Sequence, residues 1–232
     1  MIRGILFDVD DTLIDYGLAE RRGISSYLTA LGITGDPAPA AARWNALQER
    51  HFGRYLAGEL DYRGQGRARA ADMIAWLGLP PVADPYEWFL GYRACYEAAL
   101  TLFPDVPPCL ASLGGIPLGV ISNNDEAMTR RKLDLVDLAD RFGCVVGADT
   151  AGTTKPDPLI FHTACARLGI PPAEAAYVGD RPDTDAEAAT AAGLTGIWIN
   201  RTTAPGGLSD LRHLAGVLGL TPTDLGSPAP VG

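Results

Sequence analysis

Lysine is almost missing from this chain. The 19 basic residues include only two lysines, Lys132 and Lys155, and the stretch from Met1 to Arg131 contains none. Basic residues as a whole are outnumbered by 28 acids, for a net charge of −9. A broad electrostatic grip on nucleic acid or on an anionic membrane surface needs a basic face, so neither is expected as a partner. A small anionic ligand remains open, because it responds to the local field. Cysteine is scarce as well: Cys95, Cys109, Cys144 and Cys165 stand far apart with no Cys-x-x-Cys pair. That excludes a disulfide framework and reads as reduced, buried thiols in a cytoplasmic protein. His51, His162 and His213 show no paired spacing for zinc. No stretch approaches the roughly 18–20 apolar residues of a membrane span. The opening Met1-Ile2-Arg3-Gly4-Ile5-Leu6-Phe7-Asp8 meets acid after a short apolar run, so it reads as a strand and not as a secretory leader. The Asn200-Arg201-Thr202 sequon is then a coincidence.

What is there is a chain of 232 residues, 47% hydrophobic and 20% charged, enough for one sizeable core or for a domain carrying a smaller insert. Residues 3–9 form a short apolar run ending in acid, a buried strand. Residues 16–103 read as helical. Trp44, Leu47, His51 and Tyr55 recur at helical spacing, with Phe52 and Leu56 widening the face. Ala70, Met73, Ile74 and Leu77 repeat the pattern, and Phe89, Tyr92, Cys95, Tyr96 and Ala99 give a third stripe. Such stripes predict core. Beyond Pro104 the period changes: 116–121, 144–147, 175–178 and 195–199 read as strands, with helices predicted over 126–133, 156–168 and 183–192. Strand–helix alternation with short loops predicts an α/β fold, a doubly wound, Rossmann-like parallel sheet with helices on both faces. The expected domains are a core of residues 1–15 and 104–220, an inserted all-helical domain of 16–103 whose two ends lie side by side, and a C-terminal tail of 221–232.

Ligands in open α/β sheets bind beyond the carboxyl ends of the strands. Asp8 and Asp10 follow the first strand, and Ser122 and Asn123 the second; Lys155 follows the third across a loop, and Asp180 and Asp185 follow the fourth. Asp8 and Asp10 share a face if strand geometry persists. Converging carboxylates raise one another's pKa unless a cation joins them, and Mg2+ suits an open site of two or three carboxylates plus water. Lys155 adds an ammonium in a chain that otherwise uses arginine, and the two cations differ in role. With Ser122 and the N–H groups of a helix start, these groups describe a phosphate site. Taken singly, Asp8, Asp10 and Ser122 have plainer readings as caps or turn residues. Competing motifs fail. No Gly-Lys-Ser/Thr occurs near Lys155, a calcium loop opening at Asp8 would need glycine at Leu13 and glutamate at Ala19, and no Gly-x-Ser-x-Gly elbow surrounds Ser122.

Phe7-Asp8-Val9-Asp10-Asp11-Thr12-Leu13, Ile121-Ser122-Asn123, Lys155-Pro156-Asp157-Pro158 and Val178-Gly179-Asp180-Arg181-Pro182-Asp183-Thr184-Asp185 resemble, in order, the four sequence motifs of the haloacid dehalogenase-like hydrolase superfamily. The match runs from residue 7 to about residue 193, and the helical insert resembles the superfamily's C1-type cap. The resemblance implies Asp8 as nucleophile, Asp10 as general acid and base, Ser122 with its neighbour Asn123 at the substrate phosphate, and Lys155 as the stabilising cation. It also implies Mg2+ held by Asp8, the backbone carbonyl of Asp10 and Asp180, with Asp185 in support.

Within that superfamily the residues discriminate further. Dehalogenases lack the second aspartate that Asp10 provides, and phosphonatases need a cap lysine that residues 16–103 do not contain. The expected function is a Mg2+-dependent phosphatase acting on a small phosphorylated metabolite through an aspartyl-phosphate, as a monomer or homodimer. A phosphomutase would use the same two aspartates. A non-catalytic member would bind a metabolite only, and the intact motifs argue against it. Arg63, Arg67, Arg69 and Arg93 are candidates for meeting a polar leaving group, against the commoner case of solvated helix-face arginines.

Overall fold

The computed structural model describes residues 1–202 and 205–221. From residue 222 onward, the expected tail lies outside the described residues. The chain divides into two compact units, Met1–Asp15 with Thr101–Gly232, and Tyr16–Leu100. Strand β1 (Gly4–Phe7) precedes helices α1 (Tyr16–Ala30), α2 (Ala38–Leu56), α3 (Tyr62–Trp76) and α4 (Pro85–Ala98), which make up the second unit. The first unit resumes with α5 (Val106–Ser112), β2 (Leu118–Ile121), α6 (Glu126–Leu135), β3 (Cys144–Val146), α7 (Ala148–Ala151) and α8 (Pro158–Leu168). It continues through β4 (Ala175–Gly179), α9 (Ala188–Ala191), β5 (Thr195–Trp198) and α10 (Leu214–Val217). Among the described residues no helix is long and apolar enough to cross a membrane.

The five strands form one parallel sheet in the order β3-β2-β1-β4-β5. Strands β1 to β4 are buried at every position, which is why they read as continuous apolar runs and not as alternating ones. Phe7 lies level with Val120 on one side and Val178 on the other, so the residues that follow these strands emerge together at one edge. The order reverses between β1 and β4, and a doubly wound sheet opens its ligand crevice at such a reversal. Phe161, Ile160, Ala164 and Cys165 of α8 join Leu6, Ile121, Val146 and Tyr177 in the core. All four cysteines are free, and burial pushes the thiols of Cys144 and Cys165 up to about 11.

Two of the predicted helices differ from the sequence pattern, and α5, α7 and α10 were not among those expected. Helix α8 starts at Pro158, two residues later than expected, because Asp157 caps it by accepting the Leu159 N–H at 2.8 Å. The helix predicted over 183–192 is a wide π-type turn, Pro182–Glu187, leading into α9. The connections to the insert run side by side within the first unit. Ile14 pairs antiparallel with Leu102, the Asp15 N–H donates to the Thr101 carbonyl at 3.0 Å, and the Phe103 N–H donates to Leu13 at 3.0 Å. Residues 101–103 therefore belong with 13–15, and the unit boundary falls after Leu100, where the sequence suggested 103.

In the second unit the three aromatic and aliphatic stripes meet around Trp44. Its ring lies 4.5 Å from Tyr92, 5.5 Å from Trp88 and 6.5 Å from Phe89, over a floor that includes Ala70, Met73 and Ile74. Leu56, at the end of α2, is exposed and falls outside the core. The arginines weighed as contacts for a leaving group have partners within this unit. Arg69 is buried, its guanidinium 3.8 Å from the Trp44 ring centre, and it donates to Glu20 and Gln48 at 2.5 Å each. Arg67 forks onto Asp84 at 3.0 and 3.1 Å, Arg63 reaches the same carboxylate at 3.4 Å, and Arg93 pairs with Glu97 at 3.3 Å. Each guanidinium already has a carboxylate partner in its own unit. Arg69 joins α3 to α1, Arg63 and Arg67 join α3 to the start of α4, and the Arg93 pair lies within α4.

Candidate active site

The site grows out of the end of β1. The Asp8 N–H continues the sheet ladder to the Val178 carbonyl at 2.8 Å. The chain then curls: Leu13 and Ile14 both donate to the Val9 carbonyl, at 3.0 and 2.9 Å, and Asp11 adopts the left-handed region at φ 58°. Aspartate tolerates that conformation better than most side-chain-bearing residues. The curl leaves Asp8 buried and Asp10 a quarter exposed.

Lys155 reaches Asp8 across the crevice. Its Nζ lies 2.6 Å from Asp8 Oδ1, 2.7 Å from Asp185 Oδ1 and 2.8 Å from the Tyr177 hydroxyl. Asn123 fixes the Lys155 backbone, accepting its N–H at 2.7 Å and donating to its carbonyl at 3.2 Å. Asn123 thus helps to place Lys155. Asp185 enters from the wide turn after β4: its Oδ2 accepts the Arg181 N–H at 3.0 Å and its Oδ1 accepts the Tyr177 hydroxyl at 3.0 Å. Gly179 makes room for it. A Cβ at that position would sit 2.5 Å from Asp185 Cβ and Oδ2. Ser122 Oγ accepts the Asn124 N–H at 3.2 Å, and Asn124 Nδ2 donates to Asp10 Oδ2 at 3.1 Å. Both oxygens of Asp10 face Lys132 Nζ, at 2.7 and 2.6 Å.

Asp8, Asp180 and Asp185 each offer a carboxylate oxygen, and these oxygens lie within 4.8 Å of one another. Burial raises the Asp8 carboxyl, and the charges of Asp185 and Asp10 add to it against the pull of Lys155. Asp180 is raised the same way, by burial and then by Asp8, Asp185 and Asp11. Burial alone would lower Lys155, but Asp185 and Asp8 outweigh it and hold the ammonium above its ordinary range. Burial and Asp185 raise Tyr177, which stays a neutral phenol. With all three carboxylates ionised, the single Lys155 ammonium leaves two negative charges uncompensated. The donors are hard oxygens, so a divalent cation fits both the charge and the ligand type.

The haloacid dehalogenase-like hydrolase family model matches residues 2–193. The chain belongs to this family. It is 33% identical over 212 residues to the glyceraldehyde 3-phosphate phosphatase of Methanopyrus kandleri, covering 87% of this chain and 85% of that protein. It is 30% identical over 218 residues to the phosphoglycolate phosphatase of Escherichia coli strain K12, covering 85% and 81%. The magnesium-bound HAD-hydrolase YfnB from Bacillus subtilis superposes with a TM-score of 0.79 at 20% identity, over 94% of this chain and 99% of that one. The L-2-haloacid dehalogenase Rha0230 superposes with a TM-score of 0.76 at 22% identity, over 94% and 95%. Both structures share the family's fold, a Rossmann-like parallel sheet with a helical cap inserted. As a member of this hydrolase family, the chain is an enzyme.

The structure gathers Asp8, Lys155, Asp180 and Asp185 at one point, while Asn124 ties Ser122 to Asp10, whose charge acts on Asp8. Three site residues escape a motif-based reading. Tyr177 looks like strand core, although a phenol among the small residues of β4 could have marked it. Lys132 had the same signal as Lys155, the scarcity of lysine. Asn124 had none beyond its place after Asn123.

Proposed function

We propose that this hydrolase is a Mg2+-dependent phosphatase of a small phosphomonoester that works through an aspartyl-phosphate on Asp8. One observation carries the assignment: three carboxylates and an ammonium converge beyond β1 and β4, with a further carboxylate, Asp10, two residues past the buried Asp8. Mg2+ would be held by Asp8, Asp180 and the Asp10 backbone carbonyl with Asp185 alongside, and it would supply charge stabilisation for the phosphoryl oxygens. A carboxylate oxygen of Asp8 attacks phosphorus. The phosphorus–oxygen bond to the leaving group breaks, and that oxygen takes its electron pair and a proton from the Asp10 carboxyl. Water then attacks the phosphoryl group while Asp10, now a carboxylate, takes its proton. The bond to Asp8 breaks, inorganic phosphate leaves, and Asp10 is reset as an acid. Lys155 neutralises Asp8 before attack and the phosphoryl charge after it. Ser122 binds a phosphoryl oxygen, and Asn123 serves the site by holding Lys155.

Two relatives are named for small phosphomonoesters, which supports a substrate of that class. The helical unit is assigned as the C1-type cap and the source of substrate choice. The test is steady release of p-nitrophenol from p-nitrophenyl phosphate with Mg2+, followed by phosphate release across a panel of small phosphometabolites. Wild-type protein quenched in turnover is expected to carry phosphate on Asp8. No turnover above a blank on any of these substrates would overturn the assignment.

A further inference from the structure

Both lysines of the chain stand on motif aspartates: Lys155 on Asp8 and Lys132 on Asp10. Lys132 belongs to no motif. It lies in the last turn of α6, is buried, and centres its ammonium between the two oxygens of Asp10. The helix that carries it is pinned at its start. The Glu126 N–H donates to Asp149 Oδ1 at 2.8 Å, and the Glu126 carboxylate collects Arg130 and Arg167 at 2.9 Å each and Thr150 at 2.5 Å. On the other side of Asp10, Asn124 donates to Oδ2 from the loop that also carries Ser122. Asp10 is therefore gripped by a fixed helix and a fixed loop, although its side chain is a quarter exposed and Asp8 is almost wholly buried.

We propose that Lys132 is a positioning residue for Asp10, holding the carboxyl group where it meets first the leaving oxygen and then the attacking water. The proposal rests on the acid and base role given to Asp10 above. Proton transfer requires heavy atoms within about 2.6–3.2 Å. A misplacement of about 1 Å costs on the order of 10²-fold in rate. A quarter-exposed carboxylate on a curled loop has several rotamers to visit, and a compact ammonium bridging both oxygens removes that freedom. Arginine would not substitute directly, since its planar fork sets its donors in a different geometry from a compact ammonium.

A double-mutant cycle tests this, with Lys132→Met, Asp10→Asn and the pair measured on p-nitrophenyl phosphate and on phenyl phosphate, whose leaving group needs more help from an acid. Lys132→Met is expected to lower kcat by roughly 10- to 100-fold with KM within about threefold, and more for phenyl phosphate. In the Asp10→Asn background the same change is expected to alter kcat by less than about twofold, because the group it positions is gone. Lys132→Gln keeps an uncharged NH2 donor and is expected to fall between wild type and Lys132→Met; it also serves if the methionine variant does not fold. Equal losses in both backgrounds, or a loss confined to KM, would overturn the proposal, the latter making Lys132 a phosphate ligand. Unchanged kcat in Lys132→Met beside a crippled Asp10→Asn would overturn it alone. Unchanged kcat in Asp10→Asn would overturn the acid and base reading and the proposal with it.

Discussion

Asp8 and Asp10 are two residues apart in sequence and occupy different surroundings. Asp8 is buried against Lys155 and two other carboxylates, which suits a nucleophile kept from water. Asp10 reaches solvent and leans on Lys132 and Asn124, which suits a group that must exchange protons. Asp8→Asn is expected to keep the fold and lose turnover by at least ~10³-fold, because an amide cannot attack phosphorus as a carboxylate does. Retention of a tenth of wild-type activity would remove Asp8 from that role. Tyr177→Phe is expected to cost about 1–3 kcal/mol in urea unfolding, since it leaves buried partners of the hydroxyl on Lys155 and Asp185 with one bond fewer. Activity is expected to fall with it, and stability equal to wild type would mean the hydroxyl is not shared as drawn. At this scale Lys155 was legible because an ammonium is rare in this chain. The hold of Asn123 on the Lys155 backbone was not legible, because a side-chain amide serves a backbone or a ligand equally well.

Among the elements, the turn after β4 does the most for the site. Its π-type winding swings Asp185 back under Gly179, where its two oxygens meet Lys155, Tyr177 and the Arg181 N–H. An α-helical winding was expected from the alanine-rich sequence, and helix propensity yielded to these buried polar contacts. Gly179→Ala is expected to push Asp185 away, costing about 1–3 kcal/mol of stability and most of the activity. A variant with wild-type kcat would show that the turn yields without harm. In the helical unit, Arg69→Met removes one half of a buried ion pair, and the stranded Glu20 is expected to cost about 3–5 kcal/mol. Tyr16 and Asn45 still donate to Glu20, which favours the lower end of that range. Arg67→Ala, at an exposed pair, is expected to leave the melting temperature almost unchanged. Comparable losses for both variants would mean that burial does not separate their roles.

For the whole molecule, the cluster of like charges is expected to link folding to the binding of a divalent cation. A divalent ion that binds the folded chain alone at 100 times its Kd adds about 2.7 kcal/mol. Mg2+ is therefore expected to raise the melting temperature by several degrees, with chelator reversing the rise and Asp180→Ala abolishing it. A melting temperature indifferent to Mg2+ in wild type would take the ion out of the site, whatever the activity. This readout needs no substrate, so it separates the metal from the chemistry.

Most strands and helices, and the carboxylates at the strand ends, were legible in the sequence alone, because apolar period and the residues that stop it are local properties. The α/β class followed, since runs of strand and helix in alternation leave few ways to bury both faces of a sheet. The strand order β3-β2-β1-β4-β5, the winding after β4 and the partners of the site's polar groups were decided by tertiary structure. Lys132 meets Asp10 across 122 positions and Lys155 meets Asp8 across 147. Periodicity says which side of an element faces inward. It does not say which ammonium, amide or phenol comes within hydrogen-bond distance of a given carboxylate. That depends on how each helix seats on the sheet, a sum over many packed side chains that no single stretch of sequence contains.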